Sequence, residues 1–166
     1  MTIHIRPLHA DDLDAVAELL GTLARTFIVH DMPAEAAQTF LRENDRQAIA
    51  AHVANGFVYH VAEDNGAIAG FVGMREQQHL YHLFVDARWH RQGLARRLWE
   101  VAREAALAAG AAPPFRVNAS LYAYEAYRRM GFASSAPMME KNGLRFHPMR
   151  WTGDDDSATL VPSRPA

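Results

Sequence analysis

A chain of 166 residues, 49% of them hydrophobic, is long enough for one domain with a single sizeable core and short for two. The formal net charge of -2 gives no global electrostatic support to non-specific nucleic-acid binding, so no nucleic-acid partner is expected. With no cysteine, disulfides, thiolate zinc sites and thiol nucleophiles are excluded together.

The first residues lack an apolar signal core and no apolar run is long enough to cross a bilayer, so a soluble cytoplasmic protein with no membrane partner is expected. "TIHIR" alternates and is closed by Pro7, as a short strand would be. In "DDLDAVAELLGTLARTF" acids crowd the first turn, and Leu13, Val16, Leu20, Leu23 and Phe27 recur at helical spacing. One or two further helices are predicted between Ile28 and Gly56, broken near "VHDMP" and "END". The period then changes: "FVYHVAE", "AIAGFVGMR" and "HLYHLFVD" read as three consecutive strands, the first two joined by an Asn65-Gly66 hairpin turn. A helix is predicted from Gly93 to Ala109, with Leu94, Leu98, Val101 and Ala105 as its buried stripe. "FRVNA" reads as a strand, "YAYEAYRRM" as a short helix ended by Gly131, and "SAPMMEKNGLRFHPMR" as a hairpin turning at Asn142-Gly143. The order predicts an α/β chain with a central mixed sheet flanked by helices: one domain over residues 1–150, then a flexible tail over 151–166 whose acids Asp154, Asp155 and Asp156 form a solvating run.

The junction "HLYHLFVDARWHRQGLARRLWE" places Arg88, His90, Arg91, Arg96 and Arg97 around a helix start, where the backbone dipole disfavours positive charge. An anion would reconcile the two, because the first N–H groups of the helix have no intrahelical partner and Gly93 lets an oxygen come close. Neither the spacing of a phosphate loop nor the three-glycine dinucleotide fingerprint is present.

Residues 90–95, "HRQGLA", resemble the Arg/Gln-x-x-Gly-x-Gly/Ala signature of the GNAT superfamily of acyl-CoA-dependent N-acetyltransferases, and "VNASLYAYEAYRRMGF" is similar to its strand–Asn–helix–Tyr–Gly–Phe block. "EKNGLRFHPM" resembles the closing hairpin of one bacterial branch. The resemblance implies a sheet splayed between its fourth and fifth strands, with acetyl-CoA (coenzyme A) in the gap. Its pantetheine arm would lie along Leu83, Phe84 and Val85, taking backbone bonds from Leu83 and Val85. Its pyrophosphate would sit on the amides of Arg91, Gln92, Gly93, Leu94, Ala95 and Arg96, while Asn118 would lie beside the pantetheine and Tyr124 near the cofactor on the following helix. His90 stands where the family usually has Arg or Gln; a phosphate contact there would make affinity fall as pH rises from about 6 to 8. A homodimer through the C-terminal strands is a further family expectation.

The implied activity is N-acetyltransfer to a primary amine by direct attack, with Tyr127 as the general acid returning a proton to the departing thiolate. For the base, the strand offers His79 and His82, with Glu76 just before it. Their odd spacing lets at most one of the two histidines face the site in a regular strand, and His82 is carried as the candidate. Phe27, His30 and Asp31, with Phe40 and the closing hairpin, are expected around the acceptor, a small-molecule or peptide amine; Asp31 either holds the ammonium or caps the helix near Pro33. No metal is expected, since His79-x-x-His82 diverges on a strand. A non-catalytic acyl-CoA-binding or regulatory module, and a nucleotide-binding α/β protein, are the competing readings.

Overall fold

The computed structural model describes residues 2–153. Strand β1 (His4–Pro7) leads through a 3-10 turn at Ala10–Asp12 into α1 (Leu13–Phe27), followed by α2 (Ala34–Glu43) and α3 (Arg46–Ala54). Strands β2 (Val58–Asp64), β3 (Ala67–Arg75) and β4 (His79–Val85) form an antiparallel meander after β1. Then come α4 (Leu94–Ala108), β5 (Phe115–Ser120), α5 (Tyr124–Arg129), the two-residue β6 (Ala133–Ser134), β7 (Met139–Lys141) and β8 (Leu144–Trp151). The sheet order is β1-β2-β3-β4-β5-β8-β6, with β7 also on β8.

Both asparagine-glycine turns form as expected: Asn65 and Gly66 have φ of 52° and 84°, Asn142 and Gly143 of 54° and 82°. These left-handed pairs match the twist of antiparallel strands, which is why the dipeptide marks a hairpin so well. Leu13, Val16, Leu20 and Leu23 of α1 are buried, and several of them pack with Ile49, Tyr59, Val61 and Phe71 on one sheet face. Helix α4 covers the other face. Its buried stripe is Leu94, Leu98, Ala102 and Ala106 with Trp99, rather than the stripe through Val101 and Ala105, which are only half-buried. Trp99 selects that rotation by meeting Phe115, Phe132 and Trp151, with ring centroids 5.6, 5.1 and 5.9 Å away. Each such fully buried aromatic contributes on the order of 2–3 kcal/mol of apolar burial. Trp151 therefore belongs to the last strand, one residue past the expected end of the domain. The acids Asp154, Asp155 and Asp156 lie outside the described residues. Among the described residues no helix is long and apolar enough to cross a membrane.

Two irregularities position the site. Strands β4 and β5 run parallel and pair only at His79–Arg116 and Leu80–Val117, next to an Arg116 N–H bond to the Gln78 carbonyl of 3.0 Å. Beyond Leu80 the two strands part. On the other side of β4, the register with β3 steps from Met74–Leu80 to Gly73–His82, leaving Tyr81 as the extra residue of a β-bulge.

Candidate active site

The gap between β4 and β5 opens into a cavity of about 410 Å3. Leu83, Phe84 and Val85 form one wall, Asn118, Ser120 and Tyr127 the other, and α2 with the β7–β8 turn closes the outside. The free edge of β4 follows from the hydrogen-bond alternation of an antiparallel ladder. The Asp86 N–H donates to the Ala69 carbonyl at 2.8 Å, so Asp86 and Phe84 turn their peptide groups toward β3. Leu83 and Val85 must then turn theirs into the gap, where an extended amide-bearing chain could add to the edge.

At the mouth of this gap the chain enters α4 through residues with positive φ, Arg91 at 64° and Gly93 at 82°. No side chain caps the helix, and the first backbone bond of this stretch is from Arg97 to the Gly93 carbonyl, 3.1 Å. Among the described residues the six N–H groups from Arg91 through Arg96 thus find no backbone partner, and they share the positive end of a 15-residue helix. A Cβ on Gly93 would meet no protein atom within 4 Å, so the space beside it is open.

The basic side chains around this turn are largely engaged elsewhere. Arg88 pairs with Asp86 at 3.1 Å, Arg96 donates to the Arg129 carbonyl at 2.6 Å, and Arg97 reaches the Ile3 carbonyl at 3.5 Å. His90 gives its Nε2–H to the Val85 carbonyl at 2.7 Å, which turns the ring toward the strand and away from the helix start. The anion-receptive element is therefore the run of amides, and the charge expected from the arginines is mostly committed to holding neighbouring elements.

Tyr127 is buried, lines the cavity and packs its ring edge-on against Phe132, 5.4 Å between centroids. Burial pushes its phenol well above the usual range, so the hydroxyl keeps its proton at every physiological pH. No protein group among the described residues hydrogen-bonds that hydroxyl. Tyr124, expected near the cofactor, does not line the cavity: its hydroxyl is 3.1 Å from Ser134 Oγ and its ring lies on His147, 4.4 Å away, on the β6–β8 side.

His79 and His82 both line the cavity, contrary to the parity argument, because the bulge at Tyr81 inserts one residue and restores them to the same side. Their nitrogens differ in use. Asn44 Nδ2 donates to the Phe40 carbonyl at 2.8 Å, which fixes the amide and aims Oδ1 at His82 Nε2, 2.7 Å away. His82 must donate there, so its Nδ1 carries the lone pair and accepts from the Tyr59 hydroxyl at 2.9 Å. Both nitrogens are satisfied, and burial, followed by His52, pushes the imidazole down to about 3. The geometry leaves His82 no lone pair for an incoming amine, which counts against the catalytic role expected of it. Gly73 makes room for this chain, since a Cβ there would run into the Tyr59 ring. His79 is pushed down to about 4 by burial and by Arg75 and Arg116, and its Nδ1 is buried without a partner.

Of the acceptor residues expected, Phe27 and Phe40 line the cavity, and Phe27 stacks on Tyr122 at 4.3 Å across its mouth. His30 and Asp31 are exposed and outside it; Asp31 neither caps α2 nor faces the site, and lies 3.9 Å from Arg145. Glu43, Asn44, Tyr81, Lys141 and Phe146 also line the cavity, and the local sequence marks them only through the helix break at "END" and the closing hairpin. Glu76 sits in the β3–β4 turn, away from the cavity. No group of three or more metal-binding side chains occurs among the described residues.

A search of the curated proteins finds no match. Among solved structures, a GCN5-related N-acetyltransferase from Rhodopseudomonas palustris superposes with a TM-score of 0.75 at 22% identity, covering 92% of this chain and 96% of that one. The PaiA N-acetyltransferase of Thermoplasma acidophilum, solved with coenzyme A, gives 0.75 at 15% identity over 92% and 99%. These likenesses establish the fold. The family described as acetyltransferase (GNAT) domain matches residues 28–153, from the end of α1 through the last strand. The chain belongs to the GNAT acetyltransferase family and is an acyltransferase.

Proposed function

We propose that this enzyme moves an acetyl group from acetyl-CoA to a primary amine by direct attack, with Tyr127 as the general acid. The observation that supports the reading is the convergence on one cavity of the β4 edge, where Leu83 turns its peptide groups and Val85 its N–H into the gap while His90 holds the Val85 carbonyl, and of six amides from Arg91 to Arg96 with no backbone partner among the described residues. A molecule with extended amides at one end and a diphosphate at the other fits both. The neighbour from Thermoplasma acidophilum carries coenzyme A, which supports the same assignment. Asn118, exposed on β5 and lining the cavity, would flank the arm opposite Leu83.

In this scheme the amine nitrogen forms a bond to the thioester carbonyl carbon, the carbon–sulfur bond breaks, and the thiolate takes the proton of the Tyr127 hydroxyl. The amine's surplus proton leaves through water and restores the phenol. An alkyl ammonium titrates near 10.4, so about one acceptor in a few thousand is neutral at pH 7. With His82 tied to Asn44 and Tyr59, we assign it to positioning and leave the deprotonation to solvent in the cavity. Binding in one oriented pocket supplies the rest of the acceleration.

The test has two arms. Titration calorimetry with coenzyme A should give saturable binding that is weakened when the Gly93 turn is altered. Thiol release from acetyl-CoA over a panel of primary amines should identify at least one acceptor. Binding without release from any amine would support a cofactor-binding module, and no binding at all would remove the whole reading.

A further inference from the structure

Helix α2 spans the outside of the splay. At its N-terminal end the β7–β8 turn comes so close that a Cβ on Gly143 would lie 2.9 Å from Ala36. At its C-terminal end Asn44 is bonded to His82 of β4. The space beneath α2 is thus bounded by the hairpin on one side and by the β4 bulge on the other. Among the cavity-lining residues one is an acid and one a lysine or arginine, and they sit at these two ends: Glu43 on α2 and Lys141 on β7. Neither side chain has an ion-pair or hydrogen-bond partner among the described residues, and the two are not paired with each other. Lys141 is also the single lysine of the chain, beside sixteen arginines. The wall there adds the apolar Met32, Phe40, Leu144 and Phe146 beside Thr39 and Asn142.

Ala36 and Glu43 are seven positions apart, roughly 10 Å along a helix. The extended side chains of a lysine and a glutamate are together comparable in length to that span. Two unpaired opposite charges lining one chamber with an apolar side are complementary to a molecule that bears both charges close together.

Building on the acetyl-transfer reading, we propose that the acceptor is an α-amino acid with an apolar side chain, its carboxylate held by Lys141 and its ammonium drawn to Glu43 before it loses a proton and attacks. A diamine would satisfy Glu43 and be repelled by Lys141. A plain alkylamine would leave Lys141 unpaired, so the preference between acceptors is built from repulsion as well as attraction.

The experiment compares thiol release with L-phenylalanine, phenethylamine and 1,4-diaminobutane. The native enzyme should favour L-phenylalanine over each of the others by at least tenfold in kcat/KM. Lys141→Met should cut the ratio of L-phenylalanine to phenethylamine at least tenfold, mainly through KM. Lys141→Glu should raise the ratio of diaminobutane to L-phenylalanine above the native value by a larger factor still. Turnover without preference for the carboxylate, or a Lys141→Met loss equal for all three acceptors, overturns the inference and leaves acetyl transfer standing. Absence of thiol release from all three acceptors overturns the inference, and absence from the wider amine panel as well, with coenzyme A still bound, overturns acetyl transfer too.

Discussion

Replacing Tyr127 with phenylalanine separates catalysis from packing, because the structure divides the residue cleanly between the two. The ring is enclosed and meets Phe132 edge-on at 5.4 Å, a contact that phenylalanine keeps. The hydroxyl opens on the cavity and has no partner among the described residues, so its removal breaks no hydrogen bond there and stability should change by less than about 0.5 kcal/mol. If the phenol protonates the departing thiolate, its loss should lower kcat by roughly 10²- to 10⁴-fold, the usual worth of a positioned general acid, or about 3–5 kcal/mol of barrier. Burial keeps the phenol protonated, so the native rate should climb with pH as the amine deprotonates, with no descending limb from Tyr127 below pH 9. The assay is continuous thiol release with the best acceptor from pH 6 to 9, alongside thermal melting and coenzyme A calorimetry. A kcat within about threefold of native would refute the general-acid assignment. So would a fall in kcat matched by a fall in melting temperature, since the hydroxyl would then be structural.

Two further outcomes follow from geometry elsewhere. Gly93 has φ of +82° with open space around its Cα, so Gly93→Ala should cost about 1–2 kcal/mol of backbone strain, while its methyl enters the space expected for the diphosphate; calorimetry should register at least a tenfold loss of coenzyme A affinity, and unchanged affinity would move the diphosphate off this turn. His79 and His82 are held near 4 and 3, below the unfolded value of about 6.5, so between those limits the unfolded chain binds more protons. Stability should therefore be flat above pH 7 and decline as pH falls below about 6.5, by on the order of 1 kcal/mol per pH unit for each imidazole; urea melts from pH 5 to 8 measure the slope, and a level profile would mean that these rings are not neutral and enclosed.

The difference between what was legible in the chain and what was not follows the range of the interactions. Elements declared by neighbours in sequence came through: the left-handed turns at Asn65-Gly66 and Asn142-Gly143, the acid-led start of α1, and the glycine before α4. The parity argument for His79 and His82 failed because the bulge at Tyr81 is fixed by register against β3, where Gly73 must leave room for the Tyr59 ring. No local pattern in "HLYHLFV" encodes that step. The basic turn looked like a phosphate clamp for the same reason, since the carbonyls that engage Arg96 and Arg97 lie 33 and 94 residues away in sequence. Glu43 and Lys141 come together only when α2 bridges the splay from hairpin to bulge, although one count was available from the start: a single lysine among sixteen arginines. An arginine would stack or fork against the chamber's aromatic wall, whereas an ammonium on a flexible stem remains a compact point charge. A lone lysine beside Phe146 and Leu144 thus has a physical role that arginine would fill differently, and Lys141→Arg, which keeps the charge and changes its shape, should retain part of the preference for a carboxylate that Lys141→Met loses.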